Sequence, residues 1–526
     1  MLIRRGRQEG WLTLPMKALK PWADLNGVAF NNVSAGPLPG LEHRGSAVVA
    51  ERDLDGDNNE PLMTIPRDLV LSLDGVRLYA KSDKHLRQLL EVLGDFGMSE
   101  AVAHSSLCRA YQACIWRQSS MFCPMKSEMF RVLWSDLLSC QSGSADGRRL
   151  ISSRAMGGGD TKIGVKNPMT EYVKFLPQEL LPTFWTEEER TLLIGTTLKP
   201  AVEAKLKSLN KEYEKLHKLT ESITWCNDDW WFDDTYGLTF DDWLQVDAMY
   251  RSRALEFPGI GDCMVPGVDM ANHASGEDTA ALYEVDPKGN AVLLLREGKS
   301  ISQGEEVTIT YGDKKGACEM LFSYGFIEDS MISARELFLE LEIPQDDPLK
   351  VAKMHINKAA PGVKVFDSEE PNASSEGTSW MSEFIWLVIV NEEDGLEFQV
   401  LQTNDGGREL QVFWKEEKLE EPHKLEELLK AHPLWEVFQL RAVALIQDRV
   451  ESQLRVLHST ENDVRGVDKD GELVRQGVWN LAMRFRDLER DLLERSYGDL
   501  EEEKEKLLAT ETVQQYLAEQ QEEDFS

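Results

Sequence analysis

The sequence predicts an α+β protein: a β-rich fold split by a helical insertion and followed by a mostly α-helical C-terminal domain. Short apolar runs bounded by Gly, Asp, Asn and Pro occur in two separate stretches, at 46–65 and again at 280–311. Between and after those stretches, apolar residues recur at helical spacing. Strand-like and helix-like segments are thus segregated along the chain, which is the α+β pattern.

Residues 1–22 read as an N-terminal extension and 23–75 as the first β-rich part, with strands at Ser46-Ala-Val-Val-Ala50 and Leu62-Met-Thr-Ile65. From 76 to 235 the character changes to helix and loop. Thr186 ahead of Glu187-Glu-Glu-Arg190 supplies an N-cap and an acidic first turn. Val202, Leu206, Leu209, Tyr213 and Leu216 step by 4, 3, 4 and 3, one apolar face of a helix whose other face carries Lys and Glu. The Ser- and Gly-rich stretch 141–160 reads as a mobile loop. The second β-rich part, 236–330, opens with a helix at 240–255, where Trp243, Val246, Met249 and Tyr250 share a face. It continues in strands at Ala280–Val285, Ala291–Leu295 and Glu306–Tyr311. In the last part, 331–526, residues 357–380 read as a linker and 381–526 as mostly helical. There Val478, Leu481, Phe485, Leu488 and Leu492 again step by 3, 4, 3 and 4, and Glu501–Glu505 is a solvated face or tail. No internal repeat is visible.

Composition narrows the function classes. A chain of 526 residues is long enough for more than one core, and 42% hydrophobic content with 8% aromatics is ordinary for globular protein. The formal charge of −34 disfavours direct binding to nucleic-acid phosphate. It suits a cationic partner such as a lysine-rich protein, and it equally suits plain solubility. The seven cysteines (108, 114, 123, 140, 226, 263, 318) show no C-x-x-C spacing and the nine histidines no H-x-x-x-H pattern. Reduced thiols and no metal are therefore expected. No run of 18 apolar residues occurs and the N-terminus lacks an apolar core, so a membrane span and secretion are not expected. The cluster Arg4-Arg5-Gly6-Arg7 reads as a disordered positive tail, with a nuclear signal as the alternative; the expected compartment is cytoplasm or nucleus.

The chemistry-bearing strings lie between Val265 and Phe326. Val265-Pro-Gly-Val-Asp-Met-Ala-Asn-His273 is followed by Ile309-Thr-Tyr-Gly312 and then, thirteen positions after Tyr311, by Tyr324-Gly-Phe326. Singly, each has a bland reading as a turn histidine, core tyrosines with a bonded hydroxyl, or solvated helix arginines. Order and spacing change this: Arg253 precedes His273 by 20, while Tyr283, Tyr311 and Tyr324 follow it by 10, 38 and 51. Two glycine strings fail as nucleotide sites. Gly157-Gly-Gly159 has no following Lys-Ser/Thr, and Gly259-Ile-Gly261 lacks the third glycine and the preceding strand of a dinucleotide fingerprint.

This set resembles the SET methyltransferase domain. Gly45-Ser-Ala-Val-Val-Ala50 with Ile65-Pro-Arg67 is similar to its opening strands. Leu176-Pro177, Phe184-Trp185, Glu189, Leu193, Gly195-Thr196 and Arg251-Ser-Arg-Ala254 resemble the branch typified by the plant Rubisco large-subunit methyltransferase. The likeness covers about residues 20–330 well and the remainder in character only. It implies a split SET fold using S-adenosylmethionine, with Arg44, Gly45, Ser46, Arg253, Asp269, Asn272 and His273 at the cofactor, Tyr311 as the catalytic tyrosine, and Tyr283 and Tyr324 lining the target channel. Two departures stand out: Ala47 replaces the second glycine of Gly-x-Gly, and Gly316 stands where asparagine is common.

Each assignment has a chemical reason. In-line methyl displacement requires two ligands aligned from opposite sides. An arginine suits the cofactor carboxylate through bidentate pairing, and a phenol can orient an amine and accept a weak C–H···O contact. Deprotonating a lysine of pKa about 10.4 at pH 7 costs about 4–5 kcal/mol. Burial beside a sulfonium lowers that pKa, so no dedicated base is required. The activity implied is S-adenosylmethionine-dependent protein-lysine N-methylation of a basic, non-histone protein such as a ribosomal protein or translation elongation factor. Neither nucleic acid, membrane nor metal is expected to take part. A protein-histidine methyltransferase and a non-catalytic SET binding module are the alternatives.

Overall fold

Alternating apolar residues in runs of two to five make short strands, and short strands need many partners to form a core. The computed structural model describes residues 14–38, 45–58, 60–72, scattered positions from 75 to 92, and 172–524 apart from 178–179, 228–230, 232–238, 358, 369–376, 403–407, 420–423 and 468–472. The loop read at 141–160, the triple glycine 157–159 and four of the seven cysteines lie outside the described residues. The described residues fall into two compact units, one within 1–104, 122–184 and 206–314, the other within 105–121, 185–205 and 315–526.

In the first unit run β1 (Ala29–Phe30), β2 (Val33–Pro37), β3 (Ser46–Ala50), β4 (Leu54–Asp55), β5 (Met63–Ile65), β6 (Leu71–Ser72), β7 (Leu255–Phe257), β8 (Gly261–Met264), β9 (Ala281–Val285), β10 (Ala291–Leu295) and β11 (Ser300–Ile301). Their sheets, in the orders β1-β5-β10-β9, β2-β3, β4-β11 and β6-β8-β7, are antiparallel throughout. Three of the four join an early strand to a late one, as where Met63 on β5 faces Leu293 on β10. The two β-rich stretches therefore build one core, containing Val48, Met63, Ile65, Trp243, Met264, Val268, Leu293 and Ile309. Burying such side chains contributes roughly 1.5–3 kcal/mol each. The helix Phe240–Arg253 starts at a capping box between Thr239 and Asp242 and is buried continuously from Trp243 to Arg251.

The strand expected at Glu306–Tyr311 is not a continuous ladder. Its backbone is shared among three partners: Val307 N–H donates to the Val48 carbonyl, Ile309 N–H to the Asn272 carbonyl, and the Thr308 carbonyl accepts from Ala281 N–H. Only isolated bridges result, Val49 with Glu306 and His273 with Ile309. Sequence alternation does not reveal a segment that changes partners along its length.

In the second unit, the helix Glu187–Thr191 has the expected Thr186 cap, closed into a box by Glu189. The other oxygen contacts of Glu189 tie this turn to Arg475, with its Nη2 at 2.5 Å. Burial alone would raise the Glu189 pKa; the Arg475 side chain and the N–H groups of Thr186 and Arg475 outweigh it and hold the carboxyl below its usual range. Gly195 is pressed against the helix Trp435–Arg465, since a Cβ there would lie 2.7 Å from Thr460 Oγ1 and 3.3 Å from Leu457 Cα. The Glu189 and Gly195 positions thus dock residues 185–205 onto the long helices Trp435–Arg465 and Gln476–Leu508.

Two expectations for this half are corrected. The linker at 357–380 contains β13 (Gly362–Asp367) and the start of β14 (Thr378–Met381), which form a sheet with β12 (Glu336–Glu340). The mostly helical stretch 381–526 also holds β15 (Leu396–Gln402), β16 (Arg408–Trp414) and β17 (Glu417–Lys418). The Leu396-Glu-Phe-Gln-Val400 alternation was the signal for that meander.

Candidate active site

The segment Val265–His273 leaves β8 through a 3-10 turn, Val268–Met270, that packs against β3. The same β3 holds Val307 through the Val48 carbonyl, so three segments remote in the chain converge: β3, the Val268–Met270 turn and the stretch that begins at Val307. Tyr311 is fixed at both ends. Its main-chain N–H donates to His273 Nδ1 at 3.0 Å, and its phenol donates to the Ala271 carbonyl at 2.8 Å. The two rings stack with centroids 5.1 Å apart and planes 21° from parallel. His273 is 7% exposed, and its Nε2 meets Ser275 Oγ at 3.1 Å. Nearby, N–H of Gly276 and the Thr310 hydroxyl hold the Asp313 carboxyl below its usual pKa.

The other residues picked from the sequence behave differently from one another. Asn272 spends its side chain on Glu306, donating at 2.6 Å, and its carbonyl on Ile309. Arg253 donates from Nη1 to the Asp269 carbonyl at 2.8 Å. Arg251, read as a solvated arginine in its bland interpretation, is instead buried in an ion pair with Asp247 at 3.1 Å. Tyr283 faces Leu293 across the sheet and lies 4.9 Å from the Phe257 ring; burial raises its phenol pKa. Gly45 has φ +81°, with no atom within 4 Å of where a Cβ would stand. Ser46 Oγ is buried with no hydrogen-bond partner among the described residues. Arg44 lies outside the described residues. Tyr324 belongs to the second unit, where it ends the helix Ala317–Tyr324 with Lys315 Nζ 5.8 Å from its ring centroid.

Both departures from the SET pattern have local readings. Ala47 lies on β3 opposite Gly36 and is 1% exposed, so its methyl is packed within the fold. Gly316 is the N-cap of Ala317–Tyr324, and a Cβ there would sit 2.6 Å from Glu336 Cγ and 2.9 Å from the Ala334 carbonyl. The backbone leaves no room for an asparagine.

One residue escaped the sequence reading. Tyr172 is fully buried, and its hydroxyl donates to Asp269 Oδ1 while accepting from Gly267 N–H at 2.9 Å. Its only sequence signal was the Leu176-Pro177 pair four residues on. The described residues contain no group of three or more His, Cys, Asp or Glu arranged to hold a metal, and Cys226, Cys263 and Cys318 are buried and take part in no disulfide. No described helix is long and apolar enough to cross a membrane.

Comparison with known proteins agrees with this architecture. The family model described as cytochrome c lysine N-methyltransferase 1 matches residues 256–341. SET domain-containing protein 8 of Schizosaccharomyces pombe is 28% identical across 59% of this chain and 67% of its own length. The Rubisco large subunit N-methyltransferase of Pisum sativum is 34% identical across 35% of this chain, and only 38% of that protein is spanned. The solved SET domain of LSMT bound to lysine and AdoHcy superposes with a TM-score of 0.58 at 19% identity, covering 94% of this chain and 92% of the other. The fold is α+β and is that of the SET domain of LSMT. In sequence the chain is similar to SET-domain lysine methyltransferases, the Rubisco large subunit N-methyltransferase among them.

The residues present fit S-adenosylmethionine. The open position beside Gly45, the orphaned Ser46 hydroxyl, the Arg253 cation and the Asp269 carboxylate suit a molecule with a carboxylate, an ammonium and a sulfonium.

Proposed function

We propose that this chain is an S-adenosylmethionine-dependent protein-lysine N-methyltransferase acting on a basic, non-histone protein in the cytoplasm or nucleus, with neither nucleic acid nor metal taking part. The observation that carries the reading is the double fixing of Tyr311, main chain on His273 and phenol on the Ala271 carbonyl, beside the β3 and Val268–Met270 segments.

The bound cofactor would supply an electrophilic methyl on a positively charged sulfur. Gly45, Ser46, Arg253, Asp269, Asn272 and His273 are the residues assigned to hold it, with Arg44 added by the resemblance. Because the Tyr311 proton is committed to Ala271, the phenol oxygen is presented as an acceptor toward the target nitrogen and the polarised methyl. Tyr283 stays protonated, since burial raises its pKa, and contributes an aromatic wall for an aliphatic stem. Tyr324 is assigned to the same task from sequence order. An amine enclosed by such groups loses its proton more readily than in water, so none of these residues has to act as a base.

The formal charge of −34 supports a basic target, such as a ribosomal protein or elongation factor. Incubating the chain with tritiated S-adenosylmethionine and a lysate from cells lacking it tests the reading. The expected result is a labelled protein band whose modified residue is lysine by mass spectrometry. Label on histidine, or no label, contradicts it.

A further inference from the structure

We propose that Tyr172, from the segment between the two β-rich stretches, is a positioning residue for the cofactor site. The proposal deepens the function above and rests on it.

Tyr172 is 0% exposed, and its ring packs on Trp22 with centroids 5.0 Å apart. Its hydroxyl lies where Gly267 N–H divides between two acceptors, the phenol oxygen at 2.9 Å and Asp269 Oδ1 at 3.1 Å. That leaves the phenol proton for Asp269 Oδ1, and the hydroxyl donates there. Burial, then the Asp269 charge, pushes the phenol pKa well up, so it remains a donor. Asp269 is 5% exposed, and its Oδ1 accepts from both groups. Its carbonyl simultaneously accepts from Arg253. One hydroxyl thereby sets the turn carrying Asp269, the bond that aims Arg253, and the start of the run to Asn272 and His273.

A phenol-to-phenyl change removes the donor and keeps the packing on Trp22. The buried carboxylate is then one donor short, and the turn shifts to find another. The cofactor groups on Asp269 and Arg253 move with it.

The test is calorimetric titration of S-adenosylmethionine into the full chain, its Tyr172→Phe and Asp269→Asn variants, and the double variant, with thermal melts of each. Tyr172→Phe should weaken binding about tenfold or more. The double variant should bind no more weakly than Asp269→Asn alone, because the hydroxyl acts through that carboxylate. Wild-type affinity in Tyr172→Phe, additive losses in the double variant, or a Tyr172→Phe chain that no longer folds would each assign Tyr172 to the core alone and overturn the proposal. Absence of binding by the unmodified chain would instead remove the methyltransferase reading beneath it.

Discussion

The Tyr311 main-chain N–H donates to His273 Nδ1 at 3.0 Å, and this bond selects the imidazole tautomer. With Nδ1 accepting, the ring proton sits on Nε2 and points to Ser275 Oγ, 3.1 Å away. His273 therefore connects the Asn-His turn to the tyrosine segment 38 residues later through one acceptor atom and one stacked ring.

His273→Phe separates those two contributions. The ring stack survives, but the Tyr311 N–H loses its acceptor in a largely buried place. The expected loss is about 1–3 kcal/mol in chemical denaturation, together with a fall in turnover. Unchanged stability would mean that the bond is not what holds the segment.

Glu489 gives a pH prediction for the second unit. It is 0% exposed and accepts from Thr197 N–H at 3.1 and 3.2 Å and from the Thr197 hydroxyl; burial outweighs these donors and raises its pKa from 4.5 to about 7. A carboxyl with a raised folded-state pKa favours the folded state fully below pH 4.5 and loses that contribution as pH rises through about 7. The amount is about 3 kcal/mol, from 1.36 kcal/mol per pKa unit. Glu489→Gln should therefore melt higher than the parent chain at pH 8 and lose that advantage at pH 4.5. A melting difference independent of pH would contradict the assignment.

Gly316→Asn restores the residue common in the family, yet it should destabilise this chain. Its Cβ would meet Glu336 Cγ and the Ala334 carbonyl within 3 Å, and overpacking of this kind costs about 1–3 kcal/mol. A neutral or raised melting temperature would show that the second unit relaxes there easily.

Legibility in the sequence followed the range of the interactions. The helix Phe240–Arg253 was readable because its cap, first turn and apolar face are local. β3 and β10 were readable as apolar runs between turn formers. β13 was hidden because Pro361, Gly362 and the polar residues after Asp367 give the surrounding stretch the composition of a linker. The interrupted pairing of residues 306–311 depends on Val48, Asn272 and Ala281, none of which is local. At the candidate site, the order of His273 and Tyr311 was visible in the chain and the structure brings them into contact. Tyr172 was invisible because its role exists only through a hydroxyl meeting Asp269, 97 residues away.

The most direct test concerns the phenol of Tyr311. Methyl transfer and cofactor affinity should be measured in parallel on the full chain and on Tyr311→Phe, which keeps the ring stacked on His273 and removes only the hydroxyl held by Ala271. Turnover should fall by about 100-fold, the order of effect of losing one preorganised polar group at a reacting centre, while the dissociation constant for S-adenosylmethionine stays within about twofold of the parent value. Turnover near that of the parent chain would contradict the account.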